Sequence, residues 1–116
     1  MAEVVIYHNP KCSKSRQTMA LLEERGIEPT VVKYLETPPN AAKLKELLSL
    51  LAMAPRELMR KNEAPYKALE LAREDLSEDE LVRVMVENPV LIERPIVEAN
   101  GKAAVGRPPE RVLEIL

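Results

Sequence analysis

Val4-Val5-Ile6-Tyr7-His8, followed by Asn9-Pro10-Lys11-Cys12-Ser13 and a helical run from about Lys14 to Arg25, is the stretch that decides the fold. The first five residues are β-branched or aromatic and read as a strand. The next five are polar, broken by Pro10, and read as a loop. Met19, Leu21 and Leu22 give the following helix its apolar positions, and Gly26 supplies the C-terminal stop. Thr30 to Tyr34 is a second short strand. A strand, loop, helix and strand within about 35 residues is the size of a parallel crossover unit.

Outward from this unit, Thr37-Pro38-Pro39-Asn40 breaks the pattern. Leu44, Leu47, Leu48 and Leu51 then repeat at helical spacing along one face. Pro55 and Pro65 punctuate shorter helical pieces, Arg56 to Arg60 and Tyr66 to Ala72. Ser77-Glu78-Asp79-Glu80 is a capping box opening a helix to about Asn88, with Leu81, Val84 and Met85 as its expected buried stripe. Beyond Asn88-Pro89, Ile96–Ala99 and Lys102–Val105 flank Asn100-Gly101, a strong hairpin signal. Pro108-Pro109 opens a terminal helix, Glu110 to Leu116. The expected fold class is α/β: a mixed sheet in the order β-α-β … β-β-α, with core residues about 1–37 and 89–116 and an all-helical insertion at about 38–88.

The chain has 116 residues, 46% of them hydrophobic and 31% charged, enough for one modest core. With no Trp, no Phe and three Tyr, that core is aliphatic. Seventeen basic against nineteen acidic residues leave a net charge of −2, which disfavours a general nucleic-acid binder. The longest strongly apolar stretch, Leu47 to Ala54, is far shorter than the roughly 20 residues of a membrane span. Met1-Ala2-Glu3 lacks a basic leader, so the expected location is cytoplasmic. Cys12 is the only cysteine and His8 the only histidine. An internal disulfide is impossible, no local His/Cys metal cluster exists, and redox chemistry at Cys12 needs a thiol from another molecule.

Three places could carry chemistry. Cys12 reads either as a small buried hydrophobe or as a nucleophile. For the second, it lies between a strand end and a helix start, with Lys11, Lys14 and Arg16 nearby, the setting that depresses a thiol pKa and cradles oxyanions. Ser13 and Ser15 add donors. His8 reads as a half-buried strand-end residue, as a charged or donor neighbour of the thiolate, or as a loop-fixing hydrogen-bond partner. In the hairpin, a two-residue turn pairs Ala99 with Lys102, Val97 with Ala104 and Arg94 with Arg107. Two opposed guanidiniums repel unless an anion lies between them or both splay into water, and Pro95 and Gly106 interrupt the ladder beside them. If the strand Ile96–Ala99 runs antiparallel to the first strand, both arginines come to the end near Cys12. Pro95 is also a candidate cis-proline. Arg60-Lys61-Asn62, taken alone, is an ordinary basic surface patch.

These segments together, from Ile6-Tyr7-His8-Asn9-Pro10-Lys11-Cys12-Ser13-Lys14-Ser15-Arg16 through Tyr34-Leu35-Glu36, Arg60-Lys61-Asn62, Glu93-Arg94-Pro95-Ile96-Val97 and Gly106-Arg107-Pro108, resemble the ArsC-type arsenate reductases that couple to glutaredoxin. The likeness runs through essentially the whole chain and is greatest to the short chromosomal branch, in keeping with an end at Leu116. The resemblance implies a thioredoxin-like fold with a helical insertion and a cis bond before Pro95. It places the family's nucleophile on Cys12 and the activating histidine on His8. The oxyanion-binding arginines fall on Arg60, Arg94 and Arg107, and the serine beside the catalytic loop on Ser15.

The activity so implied is reduction of arsenate to arsenite with glutathione as external thiol reductant and glutaredoxin as partner, without a bound cofactor or metal, nucleic acid or membrane. A single cysteine agrees with a glutathione-coupled route rather than an internal cysteine relay. Two alternatives differ in kind. One is a related thiol oxidoreductase with another physiological substrate. The other is a regulatory interaction protein resembling the Spx branch, which binds RNA polymerase and usually carries a Cys-x-x-Cys switch; here Ser15 stands at the second position.

Overall fold

The computed structural model describes residues 3–116. Met1 and Ala2, part of the segment read as lacking a basic leader, lie outside the described residues. The chain divides into two compact units, one running up to Thr37 and resuming at Arg94–Leu116, the other Pro38–Glu93.

The sheet unit carries β1 (Val5–Tyr7), α1 (Ser13–Glu24), β2 (Thr30–Val32), β3 (Ile96–Ala99) and β4 (Lys102–Val105). Strand order is β2-β1-β3-β4. β1 and β2 are parallel, with α1 as their crossover, and Val5 pairs with Thr30. β3 lies antiparallel to β1, with Tyr7 opposite Ile96. The hairpin register is the expected one, Val97 with Ala104 and Ala99 with Lys102. It follows from the turn: Asn100 and Gly101 have φ of 55° and 72°, the paired left-handed geometry of a type I′ hairpin that Asn-Gly favours. Gly26, also at positive φ, closes the end of α1.

One face of the sheet is dry. Ile6, Leu22, Val97, Ala99, Val112 and Ile115 form its cluster, so β1 and β3 supply alternate residues and α1 and the C-terminal segment cover them. That last segment is a 3₁₀-helix, Pro109–Ile115, rather than the α-helix expected from Glu110. The reason lies in its period. Pro109, Val112 and Ile115 are the buried residues, spaced by three, and a 3₁₀-helix stacks such residues on one line.

The helical unit holds α2 (Ala41–Leu51), α3 (Pro55–Leu58), α4 (Ala64–Ala68) and α5 (Glu78–Glu87). α2 buries Leu44, Leu47 and Leu48, and Leu51 is only partly covered. In α5 the buried residues are Leu81, Val82 and Met85, with Val84 half-buried. The stripe is turned from the expected one because α5 packs on both α2 and α3, which widens its covered arc. Both α2 and α5 have side-chain N-caps: Asn40 accepts from the Lys43 N–H at 2.8 Å, and Ser77 with Glu80 forms the capping box. The unit continues past Asn88 to Glu93 through a 3₁₀ turn, Pro89–Leu91, and an Ile92–Met59 bridge. The Arg56 guanidinium donates to the carbonyls of Leu71 and Arg73, fastening an irregular segment that has little regular backbone bonding of its own.

Both Arg94–Pro95 and Arg107–Pro108 are cis peptides. Between them, Gly106 donates its N–H to the Pro95 carbonyl at 2.9 Å. A Cβ at Gly106 would lie 2.5 Å from Thr18 Oγ1 and 2.8 Å from Pro95 Cγ. Thr18 is fully buried and bonded to the Lys14 carbonyl, so it has no room to yield. Gly106→Ala is expected to destabilise the protein by about 1–3 kcal/mol, as overpacking does, read as a lower midpoint in thermal or urea unfolding. An unchanged midpoint would mean the hairpin and α1 are not packed this closely.

Candidate active site

Cys12 is the N-cap residue of α1, with extended backbone (φ −94°, ψ 124°) and its carbonyl accepting the Arg16 N–H at 3.0 Å. The first turn of α1 carries no acidic residue, so nothing there cancels the positive end of the helix. The side chain is 8% exposed. Burial pushes the thiol pKa up. The Ser15 and Lys14 backbone N–H groups and the Arg94 guanidinium outweigh it, holding the thiol below its ordinary value.

The hairpin brings the opposed arginines to the same sulfur. Arg107 Nη2 lies 3.6 Å from Cys12 Sγ, and its Nε donates to the Arg94 carbonyl at 2.7 Å. Burial works against the Arg94 charge, but its interactions with Cys12 and Tyr34 prevail and raise its pKa. Both arginines are half-buried rather than splayed into water. The group that both cations meet is the Cys12 sulfur, and Arg94 favours its ionised form. Antiparallel pairing of β1 with β3 is what puts the start of β3 and the end of β4 beside the β1–α1 loop.

His8 and Ser15 serve the loop. His8 Nδ1 is 2.6 Å from Ser15 Oγ, and Ser15 Oγ accepts the Asn9 N–H at 3.0 Å. Ser15 is fully buried, so its hydroxyl is committed to these two partners while its backbone N–H faces the anion. Burial, and after it the Lys33 charge, lower the His8 pKa. The Ser15 contact of His8 is a loop-fixing one, and burial together with Lys33 favours the neutral ring over the charged one. The Asn9 carbonyl accepts the Cys12 N–H at 3.0 Å, and the Asn9 side chain accepts from Lys11, completing a tight turn around the thiol.

Arg60 belongs to the helical unit, where its guanidinium pairs with Glu63 at 3.5 Å and Glu93 at 3.8 Å. The sequence reading gave no site role to Tyr34, 1% exposed beside Arg94, or to Thr18. The signal for Tyr34 is its place: a polar-tipped aromatic just beyond the end of β2, where its ring is buried and its hydroxyl can meet a charge. Among the described residues no group of three or more His, Cys, Asp or Glu side chains could hold a metal, and no helix is long and apolar enough to cross a membrane.

Residues 7–115 match the ArsC family. The chain belongs to the ArsC family. An arsenate reductase of Neisseria meningitidis (serogroup B) is 51% identical over 117 residues, covering all of both chains. The Escherichia coli (strain K12) protein YfgD, itself uncharacterized, is 62% identical over 98% of this chain and 97% of its own length. The solved structure of an arsenate reductase from Vibrio cholerae superposes with a TM-score of 0.96 at 58% identity, covering 98% of each chain. The thioredoxin-like α/β fold of this ArsC chain is thus the one its motifs imply.

Alkylation of Cys12 as a function of pH should inflect below the range of free cysteine, because the thiolate is the reacting form and persists to lower pH when the pKa is depressed. In Arg94→Ala the inflection should move upward. A wild-type profile matching free cysteine would contradict the arrangement described.

Proposed function

We propose that this protein reduces arsenate to arsenite through the Cys12 thiolate, with glutathione and glutaredoxin as external reductants. The observation that carries the reading is the convergence of Arg94 and Arg107 on a buried, pKa-lowered sulfur at a helix N-terminus, in a chain with no second cysteine. The names of the relatives support it.

In this reading the Cys12 sulfur attacks arsenic(V), forming an S–As bond and expelling one oxygen as hydroxide, which is protonated to water. Arg94, Arg107 and the Lys14 and Ser15 N–H groups take up the oxyanion charge released by the sulfur as it becomes neutral. Glutathione thiolate then replaces a second oxygen, lost as water after protonation, and arsenic carries both sulfurs. A glutaredoxin thiolate attacks the glutathione sulfur. The As–S bond to glutathione breaks, its electron pair stays on arsenic, and arsenic(V) becomes arsenic(III) as a mixed disulfide leaves. Water cleaves the remaining S–As bond, returning the Cys12 thiol and releasing arsenite.

His8 and Ser15 act by holding the loop that aims the sulfur. The resemblance assigns Arg60 a third oxyanion contact, and Pro95 a structural part in setting Arg94 beside the thiol. A chemistry that depends on glutathione and a reduced thiol fits a cytoplasmic location.

Arsenite production with glutathione and glutaredoxin should vanish in Cys12→Ser. Loss of a preorganised cation in Arg94→Ala or Arg107→Ala should lower kcat/KM by about 10²- to 10³-fold. Arg60→Ala should raise KM for arsenate. Wild-type turnover no greater than that of Cys12→Ser, with another oxidised substrate turned over, would transfer the same thiol pocket to that substrate.

A further inference from the structure

A recess in the sheet unit is left unused by the steps above. It has a volume of about 240 Å³, and its lining includes His8, Asn9, Lys11, Lys33 and Glu36. Two lysines line it from different segments, Lys11 from the loop before Cys12 and Lys33 from just beyond β2. The Lys33 charge is near enough to His8 to help lower its pKa. Neither lysine has an ion-pair partner among the described residues. Two further lining side chains, His8 and Asn9, are each only 8% exposed. The bonds they make, His8 through Nδ1 and Asn9 through Oδ1, leave His8 Nε2 and the Asn9 amide nitrogen without a hydrogen-bond partner among the described residues. These two nitrogens are not among the fully buried unpartnered polar atoms, so they are open to solvent at the recess, where a polar ligand can take the place of water. Glu36 adds one carboxylate.

The position matters as much as the lining. The recess wall is the same loop that ends on the nucleophile, since the Asn9 carbonyl holds the Cys12 N–H. Arg94 and Arg107 reach the sulfur from β3 and β4, whereas the recess is built from the loop after β1 and the segment after β2. The chemistry needs a thiol from outside the chain, and that thiol must approach the arsenic adduct without displacing the arginines.

We propose that this recess is the docking subsite of the external thiol, and that it selects a small peptide thiol bearing two carboxylates and one ammonium group. The carboxylates meet Lys11 and Lys33, with the Asn9 amide as an added donor, and the ammonium meets Glu36. Glutathione has this composition; a neutral thiol such as 2-mercaptoethanol does not. The proposal rests on the reading of Cys12 as the arsenic-bearing nucleophile for its purpose, but its binding test does not.

S-Methylglutathione, which cannot react, serves as the probe. Titrated into the whole protein, it should give saturable amide shifts at Asn9, Lys11, Lys33 and Glu36 in ¹H–¹⁵N spectra. Binding should weaken about tenfold in Lys33→Glu, be retained in Lys33→Arg, and weaken as ionic strength rises. In turnover, Lys33→Glu should raise KM for glutathione by about tenfold, leave KM for arsenate unchanged, and leave the rate with 2-mercaptoethanol unchanged. Shifts that map elsewhere, or an equal loss with both thiols, would overturn the subsite. Failure of the wild type to reduce arsenate, with the probe still binding at these residues, would overturn the proposed function and leave the subsite standing.

Discussion

The balance between burying one sulfur and favouring its charge is the condition on which this site turns. Taking a thiolate out of water is unfavourable, and burial alone pushes the Cys12 pKa up. What reverses the sign is drawn from separate parts of the chain: the first-turn amides of α1 and the Arg94 guanidinium ahead of β3, with Arg107 beside the same sulfur. A neutral thiol would give Arg94 and Arg107 no negative charge to share at that point. In the proposed reaction, the arrangement that favours a thiolate also suits an oxyanion under attack, because the negative charge moves by one bond while its partners stay in place.

The local devices around that charge divide the labour. Backbone amides give direction, and the arginines give magnitude. The His8–Ser15–Asn9 bonds give rigidity, keeping the loop from relaxing away from the hairpin. A charged His8 would add a third cation to the same neighbourhood, but its surroundings favour the neutral ring. Arg107 is held by the Arg94 carbonyl as well as by the sulfur, so the two cations are coupled through backbone and not left as independent flexible arms.

Much of this was legible in the residues. Asn100-Gly101 sets the hairpin turn, the turn sets the register, and the register returns the chain to the start of β3, where Arg107 meets the Arg94 carbonyl. The Val5–Tyr7 strand leading through a polar loop into Ser13–Glu24 puts Cys12 at a helix start. Other features depend on packing between distant segments and leave little local trace. The Gly106 contact with Thr18 and Pro95 is one, and Tyr34 beside Arg94 is another. The turned stripe of α5, with Val82 buried in place of Val84, depends on which neighbours it meets. The 3₁₀ ending was present as a three-residue spacing of Pro109, Val112 and Ile115, hidden because Leu113 and Leu116 also fit an α-helical face.

The Asn100 amide donates to the Ile115 carbonyl at 2.9 Å, tying the hairpin tip to the last turn of the chain. β3 starts beside the sulfur and runs roughly 10 Å to that tip, at about 3.3 Å per residue. Leu116 is therefore anchored at the opposite pole of the sheet unit from Cys12. A fusion or surface tether attached after Leu116 would leave from the far side, presenting the reactive pole outward to whatever carrier protein comes to meet it.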